Sequence, residues 1–307
     1  MLLMNMNRVF PLICLLSVIF SFPVSAQIEV KKSLVAKNAE LVKVGDGYGF
    51  TEGPAVDREG NVFFTDQPNN KIYQWKFGTG EIIEFTDASG RANGLYFNRE
   101  GELIACADMD NQLWSFDKEG KSKVLIENFK GKKLNGPNDL WINPRGGIYL
   151  TDPLYERSYW ERDPAMQQDG NHLYYLGKDG LQFFRVDENL VKPNGIVGSY
   201  DGKKLYVADI GAKKTYVYDI EEDGYLTNRQ VFVEMGSDGM TIDNRGNLYL
   251  TGDGVTIFNN RGDKIGHIPV DAKWTANVCF GAGDRKTLFI TASDAVYTLQ
   301  MKVRGVW

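Results

Sequence analysis

Histidine and cysteine are scarce in this sequence, and their scarcity narrows the chemistry that it can support. The 307 residues include two histidines and three cysteines, which disfavours a zinc centre because zinc sites are built mainly from those two side chains. The formal net charge is −5 and no block of basic residues occurs, so we expect no nucleic-acid partner. A Gly-x-Ser-x-Gly segment is also missing, so the sequence does not support a serine hydrolase.

Helical periodicity is missing too, and only the N-terminus carries a long apolar run. No window repeats apolar residues at the spacing of an amphipathic helix, which favours an all-β fold. The apolar run covers residues 9–20, after Arg8 and before the small residues Val24, Ser25 and Ala26. This order is typical of a secretory signal peptide, and the run is short for a membrane span.

The N-terminal pattern leads to a prediction of export. We predict a signal peptide at residues 1–26 and a periplasmic or secreted mature protein at residues 27–307, with no stable membrane insertion after cleavage. The alternative is an uncleaved membrane anchor. Export would leave Cys106 and Cys279, which fall in different repeats and which we expect to be buried and unpaired.

A short hairpin-like segment recurs six times in the rest of the chain. The clearest copy spans residues 134–153, with a turn at residues 143–147 between two apolar strands. Each copy opens with a carboxylate or a carboxamide, and we call these six residues the openers: Glu52, Asn93, Asn138, Asn194, Asp238 and Asn277. They are 41, 45, 56, 44 and 39 residues apart. A period of roughly 40–50 residues made of strands predicts propeller blades, so the expected fold is a single-domain six-bladed β-propeller.

Further segments complete the predicted blades. Residues 71–75 and 82–85 alternate in polarity and are interpreted as the third and fourth strands of the first blade. The weakly alternating residues 27–45 are expected to close the ring, by pairing with residues 295–299 and 301–303 in the last blade.

One connection, residues 154–171, is much longer than its counterparts in the other copies. It contains Tyr155, Arg157, Tyr159, Trp160 and Arg162, a composition poorly suited to disorder. Long loops in compact folds are usually functional or disordered. We therefore expect a lid or wall over a pocket; the alternative is a surface excursion without a role.

The openers are the strongest candidates for chemistry, because the first residues of the innermost blade strands lie together beside the propeller axis. Turn chemistry explains an Asn or Asp before glycine at one or two of these positions. Six polar side chains buried near one axis are costly without compensation. Ca2+ would compensate them, since it accepts roughly 6–8 oxygen ligands. The sequence thus predicts a central site for Ca2+ or another divalent cation, with two carboxylates and several neutral amide oxygens.

With these residues in place, the chain resembles the senescence-marker-protein-30/gluconolactonase family of six-bladed propellers. The resemblance covers essentially the whole mature chain, and the segments that carry it most strongly are Glu52-Gly53-Pro54, Pro137-Asn138-Asp139, Pro193-Asn194-Gly195 and Asp238-Gly239-Met240. It implies one divalent cation, usually Ca2+, with these ligands: Glu52, Asn138, Asn194 and Asp238. It also implies that Asp238 is the general base or nucleophile, and that the substrate is a lactone or, as for relatives of the family, an organophosphate.

The expected reaction is metal-assisted hydrolysis of a sugar lactone. A divalent cation polarises the lactone carbonyl, and Asp238 accepts a proton from the attacking water. The expected pocket-lining and substrate-contacting residues are Asn93, Asn277, Tyr155, Arg157, Trp160 and His172. For His172, an ordinary strand position is an equal alternative.

Two other classes of function fit the same sequence. One is a non-enzymatic ligand-binding propeller in which the cation is structural. The other keeps the fold and the metal but cleaves a phosphotriester, or acts as a lyase. The sequence gives no prediction of the oligomeric state. Residues 108–111 resemble the start of an EF-hand but lack its later Gly and Glu, and we expect a solvated loop there.

Overall fold

The structure, a computed structural model, describes residues 28–306. Within this range the regular secondary structure is β-strand apart from one 3-10 helix at Gln67–Asn69. The predicted signal peptide, residues 1–26, lies outside the described residues. Among the described residues, no helix has the length and apolarity needed to cross a membrane.

Twenty-five strands are present in residues 28–306. The first two are β1 (Glu29–Val30) and β2 (Val42–Asp46). Blade one has β3 (Thr51–Val56), β4 (Val62–Asp66), β5 (Lys71–Trp75) and β6 (Ile82–Thr86). Blade two has β7 (Ala92–Phe97), β8 (Leu103–Ala107), β9 (Gln112–Phe116) and β10 (Ser122–Ile126). Blade three has β11 (Leu140–Ile142), β12 (Ile148–Asp152), β13 (Asn171–Leu176) and β14 (Phe183–Leu190).

The remaining strands form three more blades. Blade four has β15 (Pro193–Gly198), β16 (Lys204–Asp209), β17 (Lys214–Ile220) and β18 (Leu226–Val233). Blade five has β19 (Met240–Ile242), β20 (Leu248–Gly252), β21 (Gly254–Phe258) and β22 (Lys264–Ile268). Blade six has β23 (Thr275–Gly281), β24 (Thr287–Ala292) and β25 (Ala295–Gln300).

Each blade is an antiparallel sheet whose first strand is innermost. The innermost strands contact one another in a closed ring, in the order β3, β7, β11, β15, β19, β23 and back to β3. The predicted six-bladed propeller is confirmed. Hydrophobic clusters lie between neighbouring blades: one joins blades one and two, another joins blades two and three. Because each blade covers the apolar face of the next, the core is distributed around the ring.

The ring closes through the N-terminal segment, as predicted, with one addition. Strand β2 pairs with β25 and becomes the outermost strand of blade six. Strand β1 instead adds a fifth strand to blade five by pairing with β22, a position that the weak alternation of residues 27–45 did not predict. Cys106 and Cys279 are buried and free, which confirms that they are not joined in a disulfide.

The strand register places several connections at one end of the disc, which we call the opener face. In blade four, Pro193 at the start of β15 lies opposite Asp209 at the end of β16, and Asp209 lies opposite Lys214 at the start of β17. Openers and second-to-third-strand connections therefore share this face. The long loop at residues 154–171 is such a connection, between β12 and β13.

The aspartates that end three repeats fix the backbone just before an opener. The Asp66 carboxylate accepts hydrogen bonds from the main-chain N–H groups of Gly49 and Phe50. Asp152 binds the N–H groups of residues 135 and 136, and Asp209 those of residues 191 and 192. In each case the two donors are the third and second residues before the opener. A carboxylate that accepts two N–H groups fixes the direction of the main chain there, and hydrogen bonds to an ionised acceptor are among the stronger ones.

Glycine follows four of the openers because the next blade approaches closely there. A Cβ atom on Gly53 would lie 2.0 Å from the main-chain oxygen of Asn93, and one on Gly239 would lie 1.9 Å from Cγ of Asn277. The openers themselves are absent from the described residues with positive φ. Close packing of inner strands therefore accounts for the opener-glycine pairs, and special turn angles at the openers do not.

Candidate metal and active site

Three carboxylates come together at the axis on the opener face: Glu52 and Asp139 are buried, and Asp238 is half-buried. Glu52 and Asp238 are openers, and Asp139 directly follows a third opener. Burial, followed by repulsion from Asp238, raises the pKa of Glu52 well above its ordinary value. Burial also raises the pKa of Asp238, and it raises the pKa of Asp139 to about 7. Within residues 28–306 no salt bridge joins any of the three to a basic side chain.

Asn277 lies between two of these carboxylates. Its Nδ2 donates to Asp139 Oδ2 at 3.4 Å and also interacts with Glu52, while its Oδ1 accepts from the main-chain N–H of Val278. The main-chain N–H of Gly53 donates to Glu52 Oε2 at 3.0 Å. These neutral donors reduce the repulsion between the carboxylates but add no positive charge.

Two aromatic side chains flank Asp238. Asn194 Nδ2 donates to Asp238 Oδ1 at 2.7 Å and to the Tyr155 hydroxyl oxygen at 3.1 Å. On the other side, Trp274 Nε1 donates to Asp238 Oδ2 at 2.5 Å. Trp274 is 41% exposed, so its ring borders the open side of the site. Each Asp238 oxygen keeps a second lone-pair direction for a proton or a cation.

The amide oxygens of two openers are available as ligands. Asn194 uses its nitrogen for Asp238 and Tyr155, and its Oδ1 accepts no hydrogen bond within residues 28–306. The buried side chain of Asn138 makes no hydrogen bond in the same range, and neither does that of Asn93. None of these amide atoms is among the side-chain atoms that are fully buried without a partner in residues 28–306, so they remain accessible to water or to a cation.

The donor set fits a hard cation. It contains carboxylate and amide oxygens and no nitrogen or sulfur ligand, which matches the preference of Ca2+. No cluster of three His, Cys, Asp or Glu side chains suited to a metal ion occurs in the described part of the chain. The predicted set, with two carboxylates, therefore depends on the amide oxygens of Asn138 and Asn194. Its assignment as a ligand set stays a prediction.

A narrow cavity continues from the carboxylates along the axis. Its volume is about 80 Å³, and Asp139 and Asn277 border it together with apolar residues of the inner strands, such as Trp141 and Ile196. Arg285 and Val306 also line it. The cavity is much smaller than a typical small-molecule pocket, so it would not enclose a sugar-sized ligand.

Asp108 anchors the long loop to blade two. Its buried carboxylate accepts from Arg157 Nε at 2.9 Å and from the Tyr159 hydroxyl, and the Trp160 indole donates to its main-chain oxygen at 2.9 Å. The same loop carries Tyr155, whose hydroxyl meets Asn194. The structure thus places the loop beside the central carboxylates, where a wall of the site would lie.

The expectation of a solvated loop at residues 108–111 is wrong for its two ends. Asp108 and Asn111 are buried, and only Met109 and Asp110 are exposed. Asp108 ends the second repeat at the position where other repeats carry Asp66, Asp152 and Asp209. In blade two, the N–H of Arg91 binds Asn70 Oδ1 instead, so the Asp108 carboxylate is available to hold the loop.

The structure does not place every predicted substrate-contacting residue beside the carboxylates. The His172 ring lies against Asp169, with Nε2 3.0 Å from Oδ1, and against Tyr174. Within residues 28–306 none of its hydrogen bonds or ring contacts involves an opener. Trp160 contacts Asp108 and the Arg162 guanidinium. Tyr155 and Arg157 are nearer the centre, since Arg157 lowers the pKa of Asp238 by its charge.

Two residues of the site were missed by the sequence analysis. Asp139 occupies the position after an opener where four other repeats have glycine. A carboxylate in place of glycine at this position could have identified it as a site residue. Trp274 stands three residues before the last opener in an irregular connection, and nothing in the repeat pattern distinguishes it.

The comparisons with known proteins identify the family. The model of the SMP-30/Gluconolactonase/LRE-like region matches residues 50–294. This match covers more than half of the chain. The protein therefore belongs to the SMP-30/gluconolactonase family, as its motifs predicted.

Two relatives indicate the range of activities among similar proteins. The chain is 30% identical to a gluconolactonase of Zymomonas mobilis, over 83% of this chain and 80% of the relative. It is 25% identical to a diisopropyl-fluorophosphatase of Loligo vulgaris, over 86% of this chain and 93% of the relative. The name of the first relative supports lactone hydrolysis, and the name of the second denotes action on a fluorophosphate.

Solved structures agree with the propeller. A gluconolactonase from Xanthomonas campestris superposes with a TM-score of 0.82 at 26% identity, covering 89% of this chain and 94% of that one. Regucalcin from Agrobacterium tumefaciens, described as a calcium-binding protein, has a TM-score of 0.73 at 17% identity, covering 86% and 95%. At that identity the second likeness shows the fold alone.

The anchoring of the long loop can be tested with Asp108→Asn. Removing the charge weakens the bonds to Arg157 and Tyr159, so we expect trypsin to cut at Arg157 or Arg162 at least about tenfold faster than in the wild type, because hydrogen bonds to a charged group contribute about 1.5–3 kcal/mol. The measurement is limited proteolysis with mass spectrometry of the fragments. Asp209→Asn is the matched control: it removes a repeat-terminal carboxylate that binds main chain only, and it should lower global stability without selective cutting in the loop. Equal cutting patterns in the two variants would contradict the assignment.

Proposed function

We propose that this protein is an exported lactonase that opens a sugar lactone with the help of a divalent cation, Ca2+ or another. The observation that supports it most is the meeting of Glu52, Asp139 and Asp238 beside free amide oxygens on an otherwise closed propeller axis. The gluconolactonase relatives support the lactone as the substrate. The proposed ligands are the predicted four: Glu52, Asn138, Asn194 and Asp238.

A divalent cation bound there supplies Lewis-acid polarisation of the lactone carbonyl. The chain's own residues supply position and proton transfer. Asn194 and Trp274 hold both oxygens of Asp238 in place, so the carboxylate can accept a proton from a water that attacks the carbonyl carbon. Tyr155 holds the Asn194 amide, and the exposed Trp274 ring offers an apolar face of the kind on which sugar rings stack.

Glu52 is less suited than Asp238 to the role of base. It is more deeply enclosed, and its contacts are with Gly53, Asn277 and the other two carboxylates. Asp238 borders the open side through Trp274. We therefore assign Asp238 as the general base.

Cation binding should stabilise the protein most at neutral pH. The pKa values of Glu52, Asp139 and Asp238 are raised in the folded state, so the folded state holds more protons than the unfolded state above about pH 4, and stability falls as the pH rises through the folded pKa values. We expect the thermal midpoint of the chelated protein to be lower at about pH 7.5 than near pH 5, and saturating Ca2+ to raise it by several degrees, mainly at the higher pH.

Glu52→Gln isolates the contribution of the site, because Asp152 also has a raised pKa and adds to the same slope. In this variant both the pH dependence and the Ca2+ effect should shrink. If Ca2+ leaves the thermal midpoint of the wild type unchanged at both pH values, a central cation site that depends on these carboxylates is ruled out.

The catalytic assignment is tested by lactone hydrolysis. Wild type and Asp238→Asn are assayed on a panel of sugar lactones with a pH indicator, each with Ca2+ and after chelation. Loss of a general base typically lowers the rate by about 10²–10⁴-fold, and chelation should abolish turnover. Asp179→Asn, in an exposed turn at the opposite face, is the control and should match the wild type.

A second candidate function is hydrolysis of a phosphorus ester, which the relative from Loligo vulgaris favours. The same panel should therefore include diisopropyl fluorophosphate. If folded, cation-binding wild type turns over no lactone but releases fluoride, the lactonase proposal fails and this second function replaces it.

Export is proposed from the signal-like residues 1–26. We expect the mature chain to begin at Gln27 and to be recovered from the periplasmic fraction or the medium. Intact-mass measurement of the native protein tests this. A mass that includes residues 1–26 would instead favour the uncleaved anchor.

A further inference from the structure

Two cationic side chains stand against the same aromatic ring at the mouth of the site. Lys192 Nζ lies 4.0 Å from the centroid of the Tyr155 ring, and Arg157 Cζ lies 5.6 Å from it. Tyr155 is the residue whose hydroxyl meets Asn194, which in turn contacts Asp238. The two cations are therefore separated from the proposed base by one tyrosine and one asparagine.

Neither cation is fully neutralised by the protein. Within residues 28–306 the Lys192 ammonium makes no hydrogen bond and no salt bridge, and its contact with the Tyr155 ring carries no negative charge. Arg157 binds Asp108 through Nε alone, and its two terminal nitrogens have no hydrogen-bond partner in the same range. Both groups retain donors that a ligand can use. Arg157 is the stronger candidate for an oriented contact, because Asp108 fixes the plane of its guanidinium.

The acidic side chains at the axis determine which substrates would need these two cations. Three acidic side chains, Glu52, Asp139 and Asp238, lie together at the axis, and within residues 28–306 no basic side chain forms a salt bridge with them. A substrate with its own negative group would be repelled unless positive groups lay where that group binds. A neutral sugar lactone needs no such compensation.

We propose that the lactone opened at this site carries an anionic substituent, a carboxylate or a phosphate ester, bound by Lys192 and the free edge of Arg157. The inference rests on the proposed lactonase function. In the reaction, water adds to the carbonyl carbon, the acyl carbon–oxygen bond of the ring breaks, and the ring oxygen leaves as a hydroxyl after protonation. The anionic substituent is unchanged, so the product carries one more carboxylate than the substrate.

The alternative role for Lys192 is packing alone, with its stem and ammonium against the Tyr155 ring. That role affects neutral and anionic substrates equally. The two roles therefore differ in one measurable quantity, the ratio of kcat/KM for an anionic lactone to that for a neutral lactone.

The experiment compares three lactones in the presence of saturating Ca2+: glucono-δ-lactone, which is neutral, a glucarolactone, which carries a carboxylate, and 6-phosphoglucono-δ-lactone. The proteins are wild type, Lys192→Gln, Lys192→Arg and Lys118→Gln. Lys118 is the matched control, because its exposed side chain lies in the connection from β9 to β10, at the end of blade two away from the openers. Circular dichroism confirms that each variant is folded.

We expect the wild type to prefer one of the anionic lactones. Lys192→Gln should lower the anionic-to-neutral ratio by about tenfold, mainly through KM, as expected for the loss of one charge-assisted hydrogen bond. Lys192→Arg should restore much of the ratio, Lys118→Gln should leave it unchanged, and added salt should reduce it. Comparison of the glucarolactone with 6-phosphoglucono-δ-lactone shows whether the site prefers a carboxylate or a phosphate substituent.

Two results would overturn the inference while the lactonase proposal stands: a wild type that prefers the neutral lactone, or a Lys192→Gln variant with an unchanged ratio. If none of the three lactones is hydrolysed by folded, Ca2+-bound wild type, the inference and the proposed function fail together on this panel.

Discussion

Repulsion among Glu52, Asp139 and Asp238 is the interaction on which the rest of the site depends. The closed ring of inner strands buries Glu52 and Asp139 and half-buries Asp238, and the surrounding donors, such as the Asn277 amide, are neutral. Burial alone already favours their protonated forms, and mutual repulsion adds to it. The arrangement is therefore unfavourable at neutral pH unless a cation joins it, and the free amide oxygens of Asn138 and Asn194 lie among the groups that such a cation would use.

The blades supply rigidity, and one departure from their repetition supplies the wall of the site. Asp66, Asp152 and Asp209 each fix the main chain just before an opener, so opener positions are set by backbone hydrogen bonds. Asp108 occupies the equivalent place in blade two but binds Arg157 and Tyr159 of the long loop. A carboxylate that elsewhere orders its own blade thus orders a loop from the next blade. This loop then brings Tyr155 to Asn194.

The sequence predicted the scaffold better than the loops. The openers were identified because a propeller repeats one local pattern, and the closed ring makes each repeat place its first residues at the same axis. Asp139 could have been found, since it stands after an opener, where close packing favours glycine at the equivalent position Gly53. Trp274 and the burial of Asp108 could not, because they depend on how irregular connections fold over the opener face. His172 illustrates the same limit: strand alternation placed it on β13 beside Tyr174, and its contact with Asp169 arises from the loop.

The third carboxylate links folding to the proposed function. Glu52 and Asp238 alone would neutralise a divalent cation, so Asp139 adds a negative charge beyond what neutrality requires. If the proposed cation binds, Asp139 would make the cation-free folded state less favourable and would increase the stabilisation that the cation brings, because a ligand stabilises the folded state by the free energy with which it binds that state alone. The same surplus of acidic groups would repel a negatively charged substrate unless positive groups lay at the mouth of the site. Lys192 and Arg157 meet that need where a substrate enters, so the negative axis and the positive rim follow from one electrostatic constraint.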